Sequence, residues 1–586
     1  MRPTRRIAAT AVALALTASA LTACAPALPP SVVAGSEAVV AWSGELTSFN
    51  PAAAPTAGNL DIAAATRGRF GDVVDGEFVA DESFGTVSII SDDPFTVRYD
   101  LAEPAWSDGI PLDAADLLLG WAAESGLLGG VSADAASGDD TDAAPHAEAA
   151  EGAAADAGVN EATPPALDEF GRAIEVAFAA PTISWQTAVA ASVPAHVVGE
   201  RAFSLDDPME AKQAVVRAIL DGDEAALGEI AQVWGTAFEI GDGADTPDDV
   251  LLSSGPYRVD TVERAASGQR VRLVPNAAYR GAAAAQIAQV DLVPPGDDPI
   301  GQVGGDLDIA QVAPSPANHA AVHDLEREDF PVVTTHDGDV WSVRATAAGV
   351  FTDPAARAAF LRALPADAMV TTGGGEWAQA YTKTTSVLAA PESPAYEIVV
   401  EDSGFTATLG TPADEPALDR EAAGVAAGTS VCVLYDRGSA FASDAFAAMQ
   451  GAMAEDGWAI TDCGSDDIAA SVDQTGWDAV IDRVALPQVP AQLAAQWGSA
   501  GSASAWTLPS PERDALIAQY AQTVDVYDAR ELLAQIEASI VQAAVVRPLS
   551  VDPVVTIVDR DVTGVTVRNG PVAPLLSGVA VWAPVP

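Results

Sequence analysis

The feature that most restricts the fold is the interleaving of two hydrophobic periods along the chain. Phe95, Val97, Tyr99 and Leu101 alternate with Thr96, Arg98 and Asp100, the period of a half-buried strand. Ile174, Val176 and Phe178 repeat the pattern, as do Val271 and Leu273 between Arg270 and Arg272. Farther on, the apolar run Val431 to Tyr435 meets a turn at Asp436-Arg437-Gly438. A helical stretch from Ala440 to Glu455 follows, and then a second short run from Trp458 to Cys463. Strand, helix, strand in that order predicts a βαβ unit. Other helices have readable starts. Asp353-Pro354 supplies an N-cap and a proline at the first helical position, ahead of Phe360, Leu361 and Leu364. Ser510-Pro511 does the same for the segment with Leu516 and Tyr520. Asp528 and Glu531 form a capping-box pattern before Leu532, Leu533, Ile536 and Ile540. The fold class is therefore α/β. At 586 residues the chain is long enough for more than one compact unit.

The N-terminal residues concern location. Arg2, Arg5 and Arg6 precede an uncharged stretch from Ile7 to Ala20 that is too short for a convincing spanning helix. Leu21-Thr22-Ala23-Cys24 follows and resembles a bacterial lipobox. That resemblance implies cleavage after residue 23 and a lipid on Cys24, anchoring the protein to the extracellular face of the cell membrane. Residues 24–36 carry Pro26, Pro29 and Pro30 and read as a tether. No later stretch is apolar and long enough to span a bilayer, so contact with the membrane is expected through the lipid only.

The net charge of −55 comes from 83 acidic and 28 basic residues. It argues against nucleic acid as a partner, because both would repel. Beyond Cys24, the remaining cysteines are Cys432 and Cys463. An oxidising compartment favours a bridge between them, and closing that loop stabilises a fold by roughly 3–4 kcal/mol. The stagger between parallel neighbours works against it, because Cys432 lies early in its strand and Cys463 at the end of the next. A metal site lacks further ligands at suitable spacing. Residues 125–165 contain eight acidic residues, no Lys or Arg, and much Ala and Gly. This composition reads as a disordered surface insertion.

Trp106-Ser107-Asp108-Gly109-Ile110-Pro111-Leu112-Asp113-Ala114-Ala115-Asp116 resembles the W-x-D-G-x-P-(L/F)-x-A-x-D segment of family 5 extracellular solute-binding proteins, the oligopeptide-, dipeptide- and nickel-binding components of ABC importers. Ser254-Gly255-Pro256-Tyr257, Asn276 to Gly281, Phe351-Thr352-Asp353 with Arg357 and Ala359, and Gly476-Trp477-Asp478 resemble further segments of that family, in its order. Physically these are turn and packing signals: Asp108-Gly109 a turn, Gly255-Pro256 a backbone bend. The Ala, Arg and Asp bias resembles that of actinobacterial proteins. The resemblance implies a two-lobe periplasmic-binding-protein-like fold of type II, of the large class with an extra subdomain in lobe I, and a ligand cleft between the lobes. Lobe I is expected over 37–286, lobe II over 287–508, and a return to lobe I over 509–586. It further implies a monomer that captures a small solute, peptide or peptide-like, and delivers it to ABC permease and ATPase subunits. A surface lipoprotein that senses or scaffolds without transport is the alternative.

Peptide-binding members carry an Asp after the Trp-Asp strand, where it meets the peptide α-ammonium. Here Leu486 or Pro487 falls at that place, or Asp482 takes over from a shifted position. Three stretches are candidates for lining the cleft: Trp42, Ser43, Glu45 and Phe49; Trp341 with Arg344; and Asp482 with Arg483. Aromatics give contact area and charges select their complement. Trp42 and Trp341 suit core positions equally well, and Asp482 with Arg483 suits a solvated pair.

No catalytic constellation emerges, so no enzyme and no cofactor are expected. His319 and His323 share a helix face, but Ala320 stands where a zincin has its Glu, and a solvated face is the simpler reading. Gly373-Gly374-Gly375 lacks the Lys-Ser/Thr of a phosphate loop. No G-x-S-x-G elbow has plausible partners.

Overall fold

A computed structural model describes residues 28–128, 163–169, 171–241, 246–411, 414–472, 474–501, 508–570 and 574–585. The signal segment 1–23, Cys24 and residues 129–162 of the acidic insertion lie outside the described residues. Among the described residues, no helix is long and apolar enough to cross a membrane.

The strands are, in chain order, β1 (Val33–Ala41), β2 (Gly71–Val74), β3 (Glu77–Ala80), β4 (Gly85–Asp92), β5 (Phe95–Leu101), β6 (Ala166–Leu167), β7 (Ala173–Ala177), β8 (Tyr257–Ala265), β9 (Gly268–Pro275) and β10 (Ile287–Val293). β11 (Ile309–Val312), β12 (Val332–Ala345), β13 (Thr429–Tyr435), β14 (Trp458–Asp462), β15 (Ala479–Ala485) and β16 (Val546–Val558) follow. Ten of them form one sheet in the order β14-β13-β15-β12-β16-β11-β1-β10-β9-β8. A separate four-stranded sheet runs β4-β5-β7-β6, and β2 with β3 makes a hairpin.

The sheet serves separate cores. A first core holds Ala38, Val40, Leu118, Trp121, Ile287 and Leu292, and is completed by Val558, Leu576 and Trp582 from the end of the chain. A second holds Val343, Phe360, Met449, Trp458 and Ile481. A third gathers Val387, Leu493, Ile517, Ile536 and Ile540. The βαβ unit is present: Ser439 caps the helix Ala440–Met453, which joins the parallel strands β13 and β14. Cys432 and Cys463 form a disulfide with Cα atoms 5.6 Å apart. The stagger does not separate them, because Cys463 continues along β13, its N–H bonding to the Val433 carbonyl.

Four expected boundaries shift. The tether does not reach Ser36: the Ser31 hydroxyl already bonds to the Ala285 carbonyl, and β1 pairs with β10 from Val33. The insertion is narrower than 125–165. Ser125 ends the helix Ala114–Glu124 and Leu128 packs into the first core, while Ala166 on the far side is already in β6. The segment 509–586 divides. Ile517, Leu533, Ile536, Ile540 and Val546 pack with the third core, Val541 and Ala544 with the second, and Val558 to Trp582 with the first, because the apolar face of the helix Val526–Ala543 meets the 387–399 region. That helix also starts earlier than Asp528 suggests, with Asp525 as its N-cap.

The segments that resemble the family are structural. Trp106 is fully buried and its indole N–H donates to Asp116 Oδ1 at 3.1 Å. Asp116 also accepts from the Ala195 N–H at 2.8 Å and pairs with Lys212 at 2.7 Å. A Cβ on Gly255 would meet the backbone of residues 65–67 at 2.7–2.8 Å, so only glycine fits that approach. The buried Arg357 donates to the Phe351 and Ala543 carbonyls, tying its helix to both neighbours.

Candidate functional site

Between the first and second cores the chain passes as a two-stranded ribbon. The first half of β12, Val332 to His336, pairs with Ile557 to Pro553 of β16. The second half, Val340 to Arg344, pairs with Val551 to Val546. The register slips between His336 and Val340, where Gly338 has φ +91°. A positive φ at this point suits glycine, and the slip interrupts the ladder where the two cores part. Each side of the slip is held. The His336 N–H donates to Asn569 Oδ1 at 3.2 Å, and the Leu486 N–H donates to the Gly338 carbonyl at 2.8 Å.

The candidate site stands at this slip. Trp341 of β12 lies directly opposite Arg483 of β15, with the guanidinium 5.7 Å from the indole centre. The Trp341 ring stacks on Phe441 at 4.5 Å, and Phe441 stacks on Tyr381 at 4.7 Å. The indole N–H of Trp341 donates to Asp552 Oδ1 at 2.9 Å. Arg483 faces three carboxylates, those of Asp552 at 3.1 Å, Asp339 at 3.8 Å and Asp337 at 3.9 Å. Asp339 is buried, and Arg483 keeps 37% of its side chain exposed.

Burial, then the charges of Asp339 and Asp552, push the Asp337 carboxyl up to about 8. Burial alone would lower the Arg483 pKa, but Asp552, Asp339 and Asp337 outweigh it and hold the guanidinium above its ordinary value. Burial also raises the Tyr381 phenol. Such a group of charges beside an aromatic stack can orient and hold a polar solute. It offers a recognition surface, with one cation exposed and its counter-charges beneath it.

The candidate residues divide. Trp341 and Arg483 meet on one face of the sheet. Arg344 and Asp482 pair with each other on the opposite face, since Asp482 stands opposite Ser342. Leu486, one of the two residues that fall at the place of the missing Asp, is buried with Val340 and Val551. In the first stretch, Trp42 and Phe49 lie in the first core. Trp42 is buried and donates to Asp61 Oδ2 at 2.8 Å. Burial raises the Asp61 carboxyl to about 6. Phe49 is buried under the Arg67 guanidinium at 4.1 Å. Glu45 pairs with Arg264, and Ser43 is exposed. Asp337, Asp339, Asp552, Tyr381 and Phe441 are additions from the structure. The run His336-Asp337-Gly338-Asp339 and the single Asp552 in the apolar stretch Val546–Val558 were their signals in the sequence.

No family model matches the chain. An uncharacterized lipoprotein of Mycobacterium tuberculosis is 28% identical over 264 residues, 44% of this chain and 42% of that protein. One of Mycobacterium leprae is 26% identical over 212 residues, 35% of this chain and 32% of its own length. The chain thus spans less than half the length of these relatives. Among solved structures, the periplasmic EDTA-binding protein EppA superposes with a TM-score of 0.72 at 17% identity, covering 94% of this chain and 97% of its own. The ABC-transporter substrate-binding protein CtaP of Listeria monocytogenes gives 0.66 at 15% identity, with coverage of 94% and 99%.

The fold is that of the extracellular solute-binding proteins.

The oligopeptide-binding protein AppA of Bacillus subtilis, solved with a nonapeptide, shares this solute-binding fold with a TM-score of 0.59 at 13% identity, covering 94% of this chain and 99% of its own. These neighbours are binding proteins, and the named relatives are lipoproteins.

Proposed function

We propose that this chain is a lipid-anchored receptor that captures a small solute between two hinged lobes and delivers it to an ABC permease with its ATPase. The observation that carries the reading is the ribbon of β12 and β16, with Trp341, Arg483 and three aspartates at its register slip. Lobe I is taken as β1 to β11, past the expected boundary at 286 because β10 and β11 pack in the first core, with the chain end after β16, and lobe II as the second and third cores. A solute that touches both lobes favours their closure, because only the closed form makes both sets of contacts. The neighbours that bind peptides or chelates support a solute of that size. A peptide or peptide-like ligand remains the reading, and Trp341 and Arg483 are its proposed contacts. Leu486 favours a variation on it, because an apolar side chain at that place offers no partner for a peptide α-ammonium.

Native mass spectrometry of the protein purified without denaturant tests the receptor. A retained small molecule, lost on unfolding, supports capture. An empty protein with no thermal shift across peptide, chelate and sugar libraries refutes it and leaves the sensor or scaffold. For the anchor, labelled fatty acid is expected to be incorporated into the native chain and not into Cys24→Ala; equal labelling of both refutes lipidation at Cys24.

A further inference from the structure

The β2–β3 hairpin packs on the first core through Phe78, but little else of its apolar surface is covered. Its tip is the two-residue turn Asp75-Gly76, both at positive φ, a geometry suited to a tight hairpin. Its base belongs to the first core: the Asp81 N–H bonds to the Phe70 carbonyl at 2.8 Å, and Phe70 packs on Phe84 at 5.2 Å. Asp72 is tied to Arg69 at 2.7 Å and to Arg568 at 3.1 Å, again on the first-core side. Beyond the base, Val73 and Val79 are more than half exposed. A two-stranded hairpin with so little apolar cover is marginal alone. Its tip instead carries Glu77, which pairs with Arg530. Arg530 sits on the helix Val526–Ala543, whose other face fills the third core through Leu533, Ile536 and Ile540. The Arg530 guanidinium lies 5.4 Å from the Tyr527 ring and its side chain is 13% exposed, so the cation is already positioned.

We propose that the β2–β3 hairpin is a charged strap between the two lobes, fastened by Glu77 and Arg530, that biases the cleft toward its closed form. The inference rests on the hinged-lobe reading above. Rotation about the β12–β16 ribbon carries the helix Val526–Ala543 away from the first core and must part this pair. The backbone bond from the Ile183 N–H to the Ala521 carbonyl, 2.9 Å, is a second link between the same lobes, but it has no side chain to tune. The Glu77–Arg530 pair, in contrast, has two side chains that substitution can change. It weakens with salt, because Glu77 is about half exposed.

The test uses the full mature chain with spin labels at Ser88→Cys on the first core and Ala447→Cys on the second, both exposed positions. Distance distributions are measured without ligand at low and high salt. Glu77→Gln and Arg530→Gln are each expected to move the closed-to-open ratio about two- to fivefold toward open, as for a partly exposed ion pair. The charge-swapped double variant Glu77→Arg/Arg530→Glu is expected to restore the native ratio. High salt should open the native protein and leave the glutamine variants unchanged. Two populations whose proportions ignore both substitutions and salt overturn the strap alone. One fixed distance under every condition overturns the hinge, and the strap with it. Opening by the single variants without recovery in the swapped protein also overturns the strap, because the effect would then belong to each side chain separately.

Discussion

Lys212 is one of two lysines in the chain, and it is buried. Its ammonium lies 2.7 Å from Asp116 and 3.1 Å from Asp113, and it also donates to the Pro111 carbonyl at 2.6 Å. Asp116 is fully buried, with its oxygens also receiving the Trp106 indole N–H and the N–H groups of Ala195 and Asp113. Replacing Lys212 by Met keeps the length of the side chain and removes the charge. The carboxylate of Asp116 is then left in the core with neutral donors only, beside a second carboxylate. Breaking a buried pair from one side costs about 3–5 kcal/mol, and the three surviving N–H donors place this case near the lower end. Asp116→Asn should cost less, because Asp113 remains as partner to Lys212. The combined variant should cost less than the sum, since each change removes what the other strands. Urea unfolding of the mature protein, followed by tryptophan fluorescence, measures all three. The pH dependence is also fixed in sign. Burial would lower the Lys212 pKa, yet Asp116 and Asp113 raise it above its ordinary value. The stabilisation from this raised pKa is therefore present through neutral pH and disappears only as pH climbs through the lysine pKa. A loss below about 1 kcal/mol for Lys212→Met, or strict additivity in the double variant, would refute the reasoning.

Three further outcomes are expected. Burial raises the Glu537 carboxyl from 4.5 to about 7, so the folded state holds its proton more tightly, and stability falls as pH rises from about 4.5 through 7. That loss amounts to about 3 kcal/mol; Glu537→Gln should remove this part of the slope in pH-dependent unfolding, and an unchanged slope would count against it. Replacing Cys432 and Cys463 by Ser should lower stability by about 3–4 kcal/mol, read as an earlier unfolding transition under non-reducing conditions. Arg483→Ala should weaken binding of whatever solute co-purifies, measured by calorimetry, and should strip three carboxylates of their shared cation; unchanged affinity removes Arg483 from the site.

Local signals carried most of the fold. The W-S-D-G-I-P-L-D-A-A-D segment was readable because its Trp106, Asp113 and Asp116 act on one another within a single turn and cap. The βαβ unit at 431–463 was readable for the same reason. The two ends of the slipped ribbon were not, because β12 and β16 are some two hundred residues apart in sequence, and no local period reports a pairing register between such strands. That distance also bears on the candidate site. Trp341 and Arg483 could be named from their strands, but Asp552 joins them only through the register of β16. Arg344 and Asp482 had the same sequence credentials and fall on the other face, because neighbours along a strand alternate in direction. Trp42 and Phe49 looked like contact aromatics. Both are buried in the first core, Trp42 against Asp61 and Phe49 under Arg67, just as Trp341 is buried in the second.

The ribbon also makes the chain a host carrying a guest. His336 and Pro553 are register partners on one side of the slip, and Val340 and Val551 are partners on the other. The guest therefore enters and leaves the host across a single rung, with both of its ends side by side. A short turn from His336 to Pro553 would close the host as an ordinary hairpin, and the excised piece would begin and end on neighbouring strands. Expressing the two halves apart would test whether each folds alone, and the cost of their separation would then read as the free energy of docking one on the other.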